Sequence, residues 1–240
     1  MKALGLADHQ SMAIQRAAKG ILEGATSNRE RLERIFLFVR DEIAFGFPPH
    51  GDLSSAEETL RLGYGQCNTK GALFLALCRA AGIDAAIHFS SIDKNIQRGL
   101  FPRWALRLLP AHLSHSWIDV KLDGEWRRLD SYINDSTYYE NAKCILADRG
   151  WVTGYSVSCA NGQSSIDFSL DTEKFVQMGS VVSDIGRYEN PEDFYATSGY
   201  TNRPGIFKQI LYLALLPIIN RRIHKIRTNA RSRKATRREG

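Results

Sequence analysis

The sequence predicts an α+β fold, on three observations. Up to about Gly82 the apolar residues recur at helical spacing. From Ile83 onward the pattern turns strand-like, and two such runs flank Asp123-Gly124, a dipeptide suited to a two-residue hairpin. Between them, Ala72 to Cys78 is apolar on nearly every side, which marks a helix enclosed by protein. Together these predict a helical N-terminal part whose last, buried helix packs on an antiparallel sheet.

Each element has a local reason. Ile14, Ala17, Ala18, Ile21 and Leu22 form a first helical stripe, closed at Gly24. Ser27 and Glu30 have capping-box spacing and open a second helix, with Leu32, Ile35, Phe36, Val39 and Ile43 on one face, until Pro48-Pro49 and Gly51 end it. Ser55 and Glu58 repeat the box and open a short helix closing at Gly63. Asn68 to Ala80 is the buried helix, and Gly82 is placed to cap it. Ala85 to Ser91 reads as a strand, and 92–112 as irregular. Ser114 to Leu122 and Glu125 to Asp130 are the hairpin strands, and Thr137 to Asp148 is helical. Residues 151–170 have β character with a turn at Asn161-Gly162, and 189–200 read as loop and short helix. The run from Ile210 to Ile219 is apolar but far shorter than the ~20 residues that span a bilayer.

Composition narrows the function. Apolar residues make up 43% of the 240, enough for a sizeable core. The net charge of +6 is uneven: residues 221–240 hold nine Lys or Arg against Glu239, so that end carries +8 and the other 220 residues −2. The basicity is an end feature and gives no reason to expect specific nucleic-acid binding. We divide the chain into a body at 1–205 and, at 206–240, an apolar helix with a basic tail. Cysteines 67, 78, 144 and 159 form no C-x-x-C pair and no zinc-finger spacing, so neither a metal nor an organic cofactor is expected. Met1 to Gly20 lacks the apolar core of a secretion signal, and reduced thiols then suit the cytoplasm.

Cys67 carries the chemistry. It follows Gly63 and Gly65 at the start of the buried helix, where free N–H groups and the helix dipole favour a thiolate. The backbone N–H of Cys67, helped by Gln66, is the expected oxyanion donor pair. With Asp123-Gly124 as hairpin centre, cross-strand partners sum to 247, so Trp117 faces Asp130 and His115 faces Tyr132. His115 and Asp130 then share a face about 7–8 Å apart at the backbone, close enough for a carboxylate to hold the imidazole. Cys78, Cys144 and Cys159 read as structural, and His88, His112, His9, His50 and His224 have no catalytic partner in the pattern.

In order, Gly65-Gln66-Cys67, Leu77 to Ala85, His115-Ser116-Trp117 and Leu122 to Asp130 resemble the core of the transglutaminase-like superfamily, from about Gln15 to Tyr132. The resemblance implies a papain-like fold and a Cys67–His115–Asp130 triad acting by acyl transfer on a protein or peptide amide. Two departures favour hydrolysis over cross-linking: Asn68 follows the cysteine where many cross-linking members have an aromatic, and there is no room for further β domains. An arylamine-acetyltransferase-like enzyme is a rival, though Leu62-Gly63-Tyr64-Gly65 stands in place of its Arg-Gly-Gly approach. A peptide-binding module that has lost activity is another. The segment 92–112 is either a cleft wall or a solvent loop. Residues 206–240 either lie on an anionic membrane as a peripheral contact or form a packed helix with a solvated tail.

Overall fold

A computed structural model describes residues 5–160, 164–200, 202–203 and 205–236, with side chains as far as 228. Its centre is a helix that water hardly touches. This helix, α4 (Cys67–Ala80), follows α1 (Met12–Ile21), α2 (Asn28–Leu37) with a π turn at Phe38–Glu42, and α3 (Ala56–Leu62). Residues 68 to 78 of α4 are all buried. Leu73, Phe74, Leu75 and Leu77 each contribute roughly 1.5–3 kcal/mol by leaving water.

Helices α1, α2 and α3 cover one side of α4, and a four-stranded antiparallel sheet covers the other. Short strands β1 (Ala44–Phe45) and β2 (Tyr64–Gly65) pair in parallel and deliver the chain to α4. The main sheet contains β3 (Ala85–Asp93), β4 (His112–Leu122), β5 (Glu125–Leu129) and β8 (Val181–Tyr188), in the order β5-β4-β3-β8. Between its last two members lie α6 (Ser136–Asp148) and the small pair β6 (Thr153–Gly154) and β7 (Val157–Ser158). Gly71 lets α4 sit on the sheet: a Cβ there would come within 3.2 Å of Ser116 Oγ and 3.3 Å of Tyr132 Oη.

The caps form largely as expected. Ser27 Oγ accepts from Glu30 N–H at 3.2 Å, and Ser55 Oγ from Glu58 N–H at 3.1 Å. The Glu30 carboxylate returns one residue early, to Thr26 N–H at 2.9 Å. The hairpin turn has both residues at positive φ, 52° at Asp123 and 84° at Gly124. Its ladder holds Ile118 opposite Leu129 and Leu122 opposite Glu125, the sum of 247. The ladder stops one pair short of Trp117 and Asp130, because Asp130 opens a turn closed by Ile133 N–H on its carbonyl at 3.0 Å. His115 therefore has no cross-strand partner at Tyr132, whose ring packs 4.7 Å from Phe74.

Two expectations need revision. The segment 92–112, expected to be irregular, contains a 3-10 turn at Lys94–Gln97 and α5 (Arg103–Leu108). Among the described residues the β character of 151–170 consists of β6, β7 and a single bridge from Ser164 to Phe175, and Asn161-Gly162 lies outside them. Strand β8 had no clear signal, since its exposed side chains do not alternate apolar with polar. The short helix expected in 189–200 is α7 (Pro191–Tyr195).

The final helix, α8 (Ile206–Thr236), lies along the body. Leu215, Ile219, Ile223 and Ile226 form its buried stripe. Asn220 exchanges two hydrogen bonds with the Phe47 backbone, 3.0 and 2.9 Å, and Arg227 pairs with Asp135 at 2.5 Å. No described helix is long and apolar enough to cross a membrane.

One buried charge lies next to the nucleophile's turn. Lys70 is fully buried, with Nζ 3.3 Å from the Arg40 carbonyl, and burial pushes its pKa down to about 7 against the pull of Asp135 and Asp41. An unfolded lysine takes up its proton near 10.4, so between that pH and about 7 the unfolded chain binds more protons, and stability rises with pH across this window. Lys70→Met should therefore raise the melting temperature more at about pH 6 than at about pH 9.5. An equal gain at both pH values, read by calorimetry, would refute the depressed pKa.

Candidate active site

The N-terminus of α4 builds the site. Gln66 caps the helix: its Oε1 accepts from Asn68 N–H at 3.0 Å, while Thr69 Oγ1 accepts from Gln66 N–H at 3.0 Å. The Cys67 thiol donates to the same Gln66 Oε1 at 2.9 Å. The backbone N–H groups of Ser116, Asn68 and Cys67 also face the sulfur and favour its thiolate. Burial and the nearby charge of Asp52 outweigh them, and the thiol is pushed up to about 12. In this state Cys67 is a protonated thiol.

His115 lies beside it in the chain path, since the sulfur meets the N–H of the next residue, Ser116. Alternation along β4 turns Ser114 and Ser116 towards α4, where Ser114 Oγ accepts from Asn68 Nδ2 at 3.4 Å. His115, Trp117 and Asp119 alternate to the other face, where Trp117 stacks on His88 at 4.2 Å and donates to Asp119 at 2.9 Å. His115 is fully buried and neither ring nitrogen has a hydrogen-bond partner; burial pushes its pKa down to about 3.

Asp130 is buried at the end of β5. Its Oδ1 accepts from Val176 N–H at 2.6 Å, and its Oδ2 from Gln177 and Met178 N–H at 2.9 and 3.1 Å. Burial raises its pKa to about 7, while these three donors, which only a lone pair can satisfy, oppose the rise. Cys67 thus sits where α4 meets β4, His115 points to the opposite face of β4, Asp130 turns away after β5, and no two of the three are hydrogen-bonded to each other. Of the expected oxyanion donors, Cys67 N–H faces the sulfur, whereas Gln66 Nε2 is held by Asp52 Oδ1 at 2.7 Å.

A cavity of about 260 Å³ opens over Cys67. Its walls are mostly apolar and come from five places: Phe47 to Leu53, the segment from Ile92 to Leu113, Gln177, Tyr200 with Asn202, and the first turns of α8 at Lys208 to Leu215. The segment 92–112 is therefore a cleft wall. Asp52 was not singled out from the sequence, where it lies in an ordinary Gly-Asp turn. It joins the cleft by accepting from both Gln66 and Tyr200, the latter at 3.1 Å. Burial raises its pKa against the pull of these donors. Among the described residues no group of His, Cys, Asp and Glu could hold a metal ion.

Residues 15–131 match the transglutaminase-like superfamily. Two solved structures are similar to the chain. One is a candidate cysteine protease from Cytophaga hutchinsonii, with TM-score 0.46 and 13% identity, covering 78% of this chain and 45% of that one. The other is a candidate protease from Parabacteroides distasonis ATCC 8503, with TM-score 0.37 and 15% identity, covering 52% of this chain and 25% of that one. The chain thus spans less than half the length of either. No curated protein matches it.

Removing the negative charge beside the sulfur should lower the thiol pKa, so Asp52→Asn should speed alkylation of Cys67 by iodoacetamide at about pH 9. Exposed Cys144 is the internal reference in the same mass spectrum; an unchanged Cys67-to-Cys144 ratio would remove Asp52 from the electrostatics. Asp130→Asn should destabilise the fold by about 1–3 kcal/mol, because its amide cannot accept from all three buried N–H groups. Denaturant unfolding reads this, and a loss below about 0.5 kcal/mol would contradict the anchoring role.

Proposed function

Since residues 15–131 match the transglutaminase-like superfamily, we propose that the chain is a cysteine-dependent enzyme that transfers acyl groups from amide bonds, with water as the usual acceptor. The observation that carries the reading is the thiol of Cys67 at a buried helix N-terminus, faced by three backbone N–H groups and open to a cavity.

In the reaction His115 is assigned the thiol proton as the sulfur attacks the amide carbonyl, a step that requires its ring, held on the face of β4 opposite α4, to reach the sulfur. The two groups start as thiol and neutral imidazole, so the proton moves during attack and no ion pair precedes it. The oxyanion is held by backbone N–H groups at the start of α4, that of Cys67 first. Gln66 joins if its amide leaves Asp52. His115 then protonates the departing amine, and Asp130 stabilises the imidazolium once the ring turns towards it. Water releases the acyl group. Hydrolysis is favoured over cross-linking by charge: segments 94–113 and 203–238 contain no Asp or Glu to receive a lysine ammonium, and the carboxylate that does line the cleft, Asp52, is already engaged by Gln66 and Tyr200.

A second reading has one observation in its favour. Cys67 is pushed up and His115 down, opposite to an activated pair. This suits a peptide-binding module without turnover.

A peptidyl acyloxymethyl ketone separates the two. The enzyme should become covalently labelled at Cys67, and His115→Ala should slow labelling by about 10²–10⁴-fold. If wild type labels no faster than His115→Ala, the chain is a binding module and the catalytic reading fails.

A further inference from the structure

Acidic residues are segregated along this chain. Segment 94–113 carries four basic residues and no acid, and 203–238 carries eleven and no acid. The remaining stretches hold the other 17 of the 32 Lys and Arg and all 26 Asp and Glu. Parts of both segments, 97–113 and 208–215, wall the same cleft.

They also expose large apolar side chains at its rim. Phe207 is 89% exposed, Ile206 79% and Leu108 68%, and Trp104 and Ile210 are also exposed. Leu108 and Lys208 themselves line the cavity mouth. Arg103, Arg107 and Lys208 are exposed among these residues. Exposed apolar side chains of this size on two segments that wall one cleft call for an occupant.

We infer that the rim formed by α5 and the first turns of α8 docks on an anionic lipid bilayer, so that the Cys67 cleft opens at the membrane surface. Charge selects this occupant. A second copy of the chain would bring cation against cation across a symmetric interface. An anionic bilayer meets the Arg and Lys with opposite charge, about 1 kcal/mol each near the surface. It also takes Phe207, Ile206 and Trp104 into its headgroup region. The acid-rich remainder of the protein is repelled, which orients the molecule rim-down. Helix α8 lies along the body and does not cross the membrane.

The test is vesicle flotation of the full chain. Vesicles of equal parts phosphatidylglycerol and phosphatidylcholine should carry the protein up the gradient, and pure phosphatidylcholine vesicles should carry far less. High salt should weaken binding. A triple variant, Ile206→Ser with Phe207→Ser and Ile210→Ser, should lose tenfold or more in partitioning, as should Arg103→Glu with Arg107→Glu and Lys208→Glu, an estimate of roughly a tenfold change per buried apolar or screened charge set. Arg61→Glu, an exposed charge on α3, should bind almost as wild type. Melting curves check that all variants fold. Failure of wild type to float with anionic vesicles would overturn the inference. Undiminished binding by the serine variant would also overturn it, and assign binding to the basic tail alone. A wild-type dimer that becomes monomeric in the serine variant, by light scattering, would overturn it in favour of a second copy.

Discussion

Everything in this fold answers to one constraint: α4 is enclosed, and its first turn still has to present a thiol. Burial on all sides removes water as a partner for the free N–H groups of that turn. The chain therefore supplies partners of its own. Gln66 and Thr69 cap the turn reciprocally, and Gln66 Oε1 is shared by Asn68 N–H and the thiol. Helices α1 to α3, the sheet and the cleft walls are packed so as to keep that turn dry. The same enclosure that makes the helix terminus a strong dipole also raises the cost of a thiolate, and in the resting arrangement the cost prevails.

The sheet contributes through its edge. Strand β5 ends where Asp130 turns away from β4, and this leaves the Ser116 N–H free to face the sulfur. Asp130, once turned, anchors the backbone at 176–178, three residues before β8 begins. One carboxylate thus ties the end of the hairpin to the chain that closes the far side of the sheet. Its neighbour in the expected triad, His115, is left buried with unpartnered nitrogens, a costly arrangement for two polar atoms. Such orphaned groups suit a site that completes its hydrogen bonds only when something else is bound.

The C-terminal helix belongs to the site as much as to the scaffold. One stripe, Leu215 to Ile226, is packed against the body, and the turns before it form a cleft wall. Asn220 and Arg227 fix its position through Phe47 and Asp135, and Asp135 also caps α6 and accepts from Phe45 N–H. The helix therefore couples to the segment that leads into the nucleophile turn.

Much of this was readable before any coordinates. Helical periodicity, two serine caps and the Asp-Gly turn located α1 to α4 and the β4–β5 hairpin, and the hairpin arithmetic gave the register. These are local rules, in which each residue acts on neighbours three, four or two positions away. That Cys67 starts a buried helix is equally local, because an all-round apolar run has nowhere else to go. The features no local rule reaches lie between distant segments: Asp52 beside the sulfur, the backbone of 176–178 around Asp130, α5 and α8 as walls of one cleft, and β8 on the outer edge of the sheet. Asp52 and Tyr200 meet across 148 residues. No local pattern encodes such a meeting, because it arises from how whole elements pack, and packing is a property of the complete set of side chains.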